Sequence, residues 1–482
     1  MMDIKTALDD LISIIHSDQT SSAARTTLRG FTQSRKITLQ DVLLFYIFRY
    51  GETTNKDMAA YFSKLSRPRA SKQAMFKALN KTNPEVFPAM IRKYAELFYK
   101  HQCYNTLDGW IVLACDGTKM DLPRSEELKN KFGGYLNQTV TDKSKVKRPQ
   151  ATCSVLADVL NHVILDAIIE PCATSEIPLL FRHLENCREL LNGKKVMLLC
   201  DRNYGSAELF LYCMLFGYKL LVRAKSYMYK DKVKEIERDG LIHLNLNKPW
   251  LKRLKRDDCR DYGSKNPDLD IRVVKNHYEY TLDGYKRKHE SIAVDSIYMT
   301  NLWKSEFPTE KIIELYHSQR WDNETAYFGI KDHLEAERFN SGKSNIVINE
   351  LYGKILCYSI CGTLFDRADE IILDRRMEEG ISDTLYDCLP NLKNICDTIR
   401  TDHRFLQCLF QGYLSDDDKT EYLRQLEDDC SRNTVPVRPG RHYKRWGRWM
   451  SYPPIEKFRI DGRRNPPIKK CFNVNGYMTV SY

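Results

Sequence analysis

The chain has 482 residues, 42% of them apolar, and a formal net charge of +11. That length exceeds one ordinary domain, so two to four soluble globular domains are expected. The longest apolar run, Leu209 to Phe216, is far short of the roughly 18 residues of a membrane span, and the opening MMDIKTALDD lacks a basic-then-apolar signal. No membrane association and a cytoplasmic location follow as expectations.

The charge is uneven. Arg438 to Lys470 holds eleven Lys/Arg and two Asp/Glu, a local +9. A localised polyanion contact is therefore expected rather than a uniformly basic surface. The 15 cysteines are scattered, and the closest pair, Cys357 and Cys361, sits in an apolar helical stretch. No CxxC pair exists, so the pattern points away from zinc and towards small apolar core residues, Cys115 and Cys200 among them.

Residues 1–105 read as helical. Thr38, with Asp41 three residues on, caps the run Val42 to Phe48. A second helix fits Thr54 to Leu65, and a third begins at Ser71. This is either a helix-turn-helix for DNA or a plain bundle with solvated lysines.

The character changes at residue 106. Gly109 to Asp116 (GWIVLACD) is an apolar, β-branched run ending in an acid. Residues 130–150 are polar and basic, a loop pattern. ATCSVLADVL and HVILDAIIE face each other across Asn161-His162 as a hairpin. Glu176 to Leu191 fits a helix, Lys195 to Asp201 a buried strand, Ala207 to Phe216 a helix, and YKLLVRA another strand. This order suits a mixed α/β sheet with helices on its faces. Residues 226–305 read as a β-rich insertion, with strand-like IRVV, YEYTL and SIYMTNL. Helical pattern returns at Pro308 to Ala336 and at Ile348 to about Ile371. The final Pro-, Arg- and aromatic-rich residues read as an extended arm.

Two strands of the α/β region end in an aspartate, Asp116 (CDGTK) and Asp201 (CDRNYG). Ligands of open α/β sheets sit at the carboxyl ends of strands, where two carboxylates can share hard cations such as magnesium. Two such ions about 4 Å apart activate water and stabilise the leaving oxygen of a phosphodiester. Taken singly, each aspartate reads better as a plain strand end before a turn, a common pattern. The third element is the helix YHSQRWDNETAYFGIK. At about 100° per residue, and relative to Arg320, Tyr316 falls at about −40°, Glu324 at about +40° and Lys331 at about +20°. One face thus carries an acid, two cations and a phenol, a metal ligand with phosphate-binding neighbours. An ordinary Arg–Glu pair on a solvated face explains two of these residues and gives the tyrosine no role.

With these residues the chain resembles the DDE transposases of bacterial insertion sequences, the insertion-sequence-four family. That family carries a Y-x2-R-x3-E-x6-K signature. Arg320, Glu324 and Lys331 match its R-x3-E-x6-K, followed by ERFNSGKS. The DGT at Asp116, the FGG at Phe132, SVLADVLNHVILDAIIEP, DRNYGSAELF and MTNL also resemble the family, as do LQDVLLF and SKQAMFKALNKTNPEVF. The resemblance spans about residues 30 to 360. Tyr316 departs from it, with three residues rather than two before Arg320. Family spacing places the tyrosine at about +60° from the arginine.

The resemblance implies a ribonuclease-H-like catalytic core with Asp116, Asp201 and Glu324 as catalytic acids holding two Mg2+, for which Mn2+ can substitute. It implies phosphate contacts from Arg320 and Lys331, with a further DNA contact from Tyr316. In that family an insertion tryptophan stabilises a flipped base. Trp250, within NKPWLKRLKR, is the candidate here, with Trp303 second and a core tryptophan the plain alternative. Arg441, Lys444 and Arg445, in the HYKRWGRW arm, interleave cations with rings. They suit DNA backbone or minor-groove contact, or else a solubilising tail.

The expected organisation is a helical N-terminal DNA-binding domain (1–105), the first part of the core (106–225), the β-rich insertion (226–305), the second part with the signature helix (306–375), and a C-terminal helical region with the basic arm (376–482). The expected activity is cut-and-paste transposition. The chain would act as a homodimer in a synaptic complex on double-stranded DNA, at terminal inverted repeats and target. Its bacterial location would be nucleoid-associated when bound. A ribonuclease-H-like nuclease or resolvase without strand transfer shares the acids, and a domesticated non-catalytic DNA-binding protein is the non-enzyme alternative.

Overall fold

The computed structural model describes residues 1–27, 30–32, 36–134, 148–282, 290–380, 387–437, 469–472 and 478–481. Within these, residues 279–282, 290–294, 317–325, 328, 469–472 and 478–481 are described by backbone alone. Among the described residues no helix is long and apolar enough to cross a membrane.

Eight strands form one sheet: β1 Trp110–Asp121, β2 Gln150–Asp158, β3 Val163–Pro171, β4 Lys195–Cys200, β5 Lys219–Arg223, β6 Asp239–Asn245, β7 Asp268–Leu282 and β8 Glu290–Thr300. Their order is β3-β2-β1-β4-β5-β8-β7-β6. β4 is parallel to both β1 and β5, and every other neighbouring pair is antiparallel. The hairpin read across Asn161-His162 is β2–β3. The strand-like patches of residues 226–305 become β7 and β8. These do not stand apart as a sheet of their own: β8 pairs with β5 through Leu221↔Thr300, and β7 and β6 extend the same edge.

The sheet's two faces bury two cores, because successive side chains of a strand alternate sides. Leu113, Cys115, Leu198 and Cys200 join the larger core. Val112, Ala114, Met197 and Leu199 join a smaller one closed by Ile312, Leu315 and Tyr316. These last residues belong to the helix Thr309–Phe328, which carries the signature residues. That helix ends earlier than the sequence pattern suggests and passes into a π turn, Gly329–His333. The turn lies close on the helix Ser344–Glu378, where a Cβ at Gly329 would stand 2.7 Å from a ring carbon of Tyr358.

Ser344–Glu378 also joins the N-terminal helices to the sheet, so both share one core. Its Glu350 pairs with Arg49, which also binds Asp57 at 2.9 Å, with all three side chains nearly inaccessible. At the other end of Leu39–Phe48, Thr38 and Asp41 form the expected capping box. The helix read as Glu176 to Leu191 is broken at Cys187 into Glu176–Asn186 and Arg188–Leu191.

Candidate active site

Asp116 does not end its strand as the sequence pattern suggests. β1 runs on to Asp121 because β2 continues to bond with it as far as Asp121↔Gln150. What stops at this level is the parallel pairing with β4, whose last pair is Cys115↔Cys200. Asp116 and Asp201 therefore each lie one residue past the same pair, on strands about 4.8 Å apart. Both are half-buried. The Asp116 carboxylate accepts a hydrogen bond from the Gly117 N–H at 2.8 Å. Burial pushes the Cys115 thiol up to about 12, with its hydrogen bonds to Ser154 and Tyr204 pulling the other way and the negative charge of Asp116 adding to the rise.

By strand alternation, position 116 falls on the face of Val112 and Ala114, the face covered by the helix Thr309–Phe328. Two buried tyrosines pin that helix to the strands bearing the acids. Tyr316, 3% exposed, reaches the Cys200 carbonyl at 3.5 Å, and its ring lies 4.9 Å from that of Tyr298. Tyr327 donates to the Asp116 carbonyl and accepts from the Val155 N–H at 3.1 Å. Positions 320 and 324 lie on the helix between these anchors, at about 40° and 80° around the axis from Tyr316. The structure thus brings the backbone of Arg320 and Glu324 to the stretch between Asp201 and Asp116, while their side chains lie outside the described residues. Tyr316, expected to meet DNA, is buried in the smaller core.

Lys331 follows in the π turn. Its ammonium donates to the Lys119 carbonyl at 2.7 Å and stands 3.8 Å from Glu337. Glu337 in turn accepts from the Asp121 N–H at 2.9 Å, so the turn is fixed to the same strand beyond Asp116.

Glu176 is a further acid at the site that the sequence marks only as a helix start. A Cβ at Gly117 would lie 2.9 Å from its Cγ and 3.0 Å from its Oε1. Burial lifts its carboxyl above the usual glutamate range. Lys119 opposes the rise, Asp201 adds to it, and a hydrogen bond with Asn203 opposes it. The signal available in the sequence was the glycine directly after Asp116, a residue type that admits close approach.

Trp250 is half-buried on the short helix Lys248–Leu251, packed against the larger core. The basic segment after it is docked on Glu208, which accepts from the Lys255 and Arg256 N–H groups at 2.6 and 2.8 Å. A cleft of about 610 Å³ runs between this segment and Glu176 and Asn203. Trp303 lies just past β8 and is half-buried. Arg441, Lys444 and Arg445 lie outside the described residues.

Oxygen donors suit hard divalent cations, and Asp116 and Asp201 at one level of the sheet fit such an ion. Among the described residues there is no group of three metal-ligating side chains, the Glu324 side chain falling outside them. Two carboxylates at the end of a parallel register are an arrangement that suits divalent-cation chemistry on phosphate esters. The transposase DDE domain family matches residues 110–360, more than half of the chain. The chain belongs to that family, whose members carry out DNA transposition and recombination with divalent metal ions. No curated protein matches the sequence. Among solved structures the chain is similar to the piggyBac transposase in its synaptic complex with hairpin DNA, a distant likeness at 13% identity over 91% of this chain and 87% of that one, with a TM-score of 0.38.

Proposed function

We propose that the chain is a cut-and-paste DNA transposase of the insertion-sequence-four type, with Asp116, Asp201 and Glu324 as its catalytic acids. The observation that carries this reading is the shared register of Asp116 and Asp201, with the helix of Glu324 pinned to both of their strands. The ribonuclease-H-like reading of the core is supported by the order β3-β2-β1-β4-β5, in which β2 alone runs against the others.

The three acids are the residues that would hold two Mg2+, or Mn2+ in their place. Bound there, the cations supply the Lewis acidity that activates an attacking oxygen and stabilises the leaving one. The chain's own part is to position. Tyr316 and Tyr327 fix the helix, and Arg320 and Lys331 hold phosphates at the site's edge. Trp250 and the basic segment beside it receive DNA from the insertion side. The N-terminal helices contribute binding as well: in the capped helix Lys72–Asn80, Met75 and Leu79 are buried while Lys72, Gln73 and Lys77 are exposed. Arg441, Lys444 and Arg445 extend the contact, and two copies pair the element's two ends in one synaptic dimer.

The test uses a labelled duplex carrying the element's terminal inverted repeat, a supercoiled target and Mg2+. Terminal cleavage followed by joining of the label to the target is expected. Hydrolysis products alone would identify a nuclease or resolvase, and binding without cleavage a non-catalytic DNA-binding protein.

A further inference from the structure

We propose that Tyr327 is a positioning residue for the acid site, one that ties the strand of Asp116 to the helix of Glu324 through a single hydroxyl. This inference rests on the transposase reading above. Asp116 and Val155 are register partners across β1 and β2. The Tyr327 hydroxyl donates to the carbonyl of the first and accepts from the N–H of the second at 3.1 Å, with the Cys153 carbonyl at 3.3 Å. It therefore bridges the ladder at the acid's own position. Tyr327 is 6% exposed, so no water competes freely for that hydroxyl. It lies three positions after Glu324, less than one helical turn. A slip of the helix would break this bridge before it broke the apolar packing, because a hydrogen bond weakens steeply with angle and distance.

The Ser154 hydroxyl also donates to the Asp116 carbonyl, at 3.3 Å. Ser154 is backed by a buried line: its Oγ lies 2.9 Å from His183 Nε2, whose Nδ1 lies 2.7 Å from Asp166. Arg92 donates to Asp166 at 2.7 Å. A serine hydroxyl has one proton to give, which it shares between His183 and Asp116. The Tyr327 hydroxyl also has one proton, and of its two carbonyl acceptors Asp116 is closer than Cys153 at 3.3 Å. It is closer to the Asp116 carbonyl than the Ser154 hydroxyl is, which makes the phenol the firmer of the two holds.

The expected consequence of Tyr327→Phe is looser metal binding with the fold retained. Groups behind metal ligands typically cost about 10- to 100-fold in metal affinity or activity when removed. Tyr94→Phe is the control. It removes another buried hydroxyl, 3.1 Å from Thr363, that has no contact with Asp116. Mn2+ affinity is measured by titration calorimetry on the full chain, beside the Mg2+ concentration for half-maximal terminal cleavage. Tyr327→Phe should weaken both about tenfold or more, with Tyr94→Phe leaving both at the wild-type value. If Tyr327→Phe matches wild type, or Tyr94→Phe shifts both equally, the positioning role is overturned. Wild-type Mn2+ binding that Asp116→Asn abolishes keeps the acid assignment standing in that case. Binding unaffected by Asp116→Asn removes the assignment and this proposal with it.

Discussion

Asp116 and Asp201 lie one residue beyond the same parallel pair, Cys115↔Cys200, and the helix covering their face is fixed to both strands. β2 holds Asp116 from one side, β4 ends beside it on the other, and Glu176 closes over the glycine between Asp116 and Thr118.

Glu176 shares the site with Asp201 and is expected to matter for the reaction rather than for folding. Its carboxyl is half-buried and held above the usual range by burial, with Asp201 adding to the rise. Glu176→Gln should lower the cleavage rate about tenfold or more, in the range seen for groups behind catalytic ligands, without changing DNA affinity. Single-turnover cleavage and a gel-shift titration measure the two separately. A rate equal to wild type would remove Glu176 from the site.

Asp239 secures the start of the signature helix to the edge strands. It binds Arg272 through both oxygens, at 2.9 and 2.7 Å, and accepts from Thr309 at 2.6 Å. Arg272 is 1% exposed, so Asp239→Asn leaves its charge buried without a counterion and should cost about 3–5 kcal/mol of stability. The Arg272 hydrogen bonds hold the Asp239 carboxyl below the usual aspartate range. Its folded value therefore lies below the unfolded value of about 3.9. The stabilisation is complete above about pH 4 and is lost as pH falls through the folded value. Urea unfolding of both proteins at neutral and at strongly acidic pH should show a gap that narrows in acid. A gap that persists unchanged would contradict this account.

Thr38 and Asp41 cap each other at the start of the helix Leu39–Phe48, which is buried from Asp41 onward. Thr38→Ala should cost about 1 kcal/mol and leave catalysis unchanged. Thermal unfolding with a parallel cleavage assay checks both halves of that statement.

This cap was legible because its signal is local: a threonine, an acid three residues on, and an apolar run. The β2–β3 hairpin and the strand before Asp201 were legible for the same reason, being apolar runs punctuated by turn residues or an acid. Non-local pairing was not. Nothing in GTKMD marks residues 117–121 as strand, since only bonding to β2 extends β1 there. The pair Leu221↔Thr300, which makes the expected insertion an extension of the main sheet, joins residues far apart in sequence. Helical spacing placed Tyr316 near Arg320 and Glu324 but could not show that the Cys200 carbonyl and the Tyr298 ring lie beneath it. Glu176 read as a helix start because its neighbour, Gly117, meets it only in the fold.

The central claim is tested most directly by Asp201→Asn, a change that removes one carboxylate charge and almost no volume. Cleavage of a labelled terminal duplex in Mg2+ is measured beside the binding affinity for the same duplex, with Asp116→Asn and Glu324→Gln alongside. All three variants are expected to bind DNA as wild type does and to cut at no detectable rate. Wild-type cleavage by any one of them would contradict the assignment of these three acids.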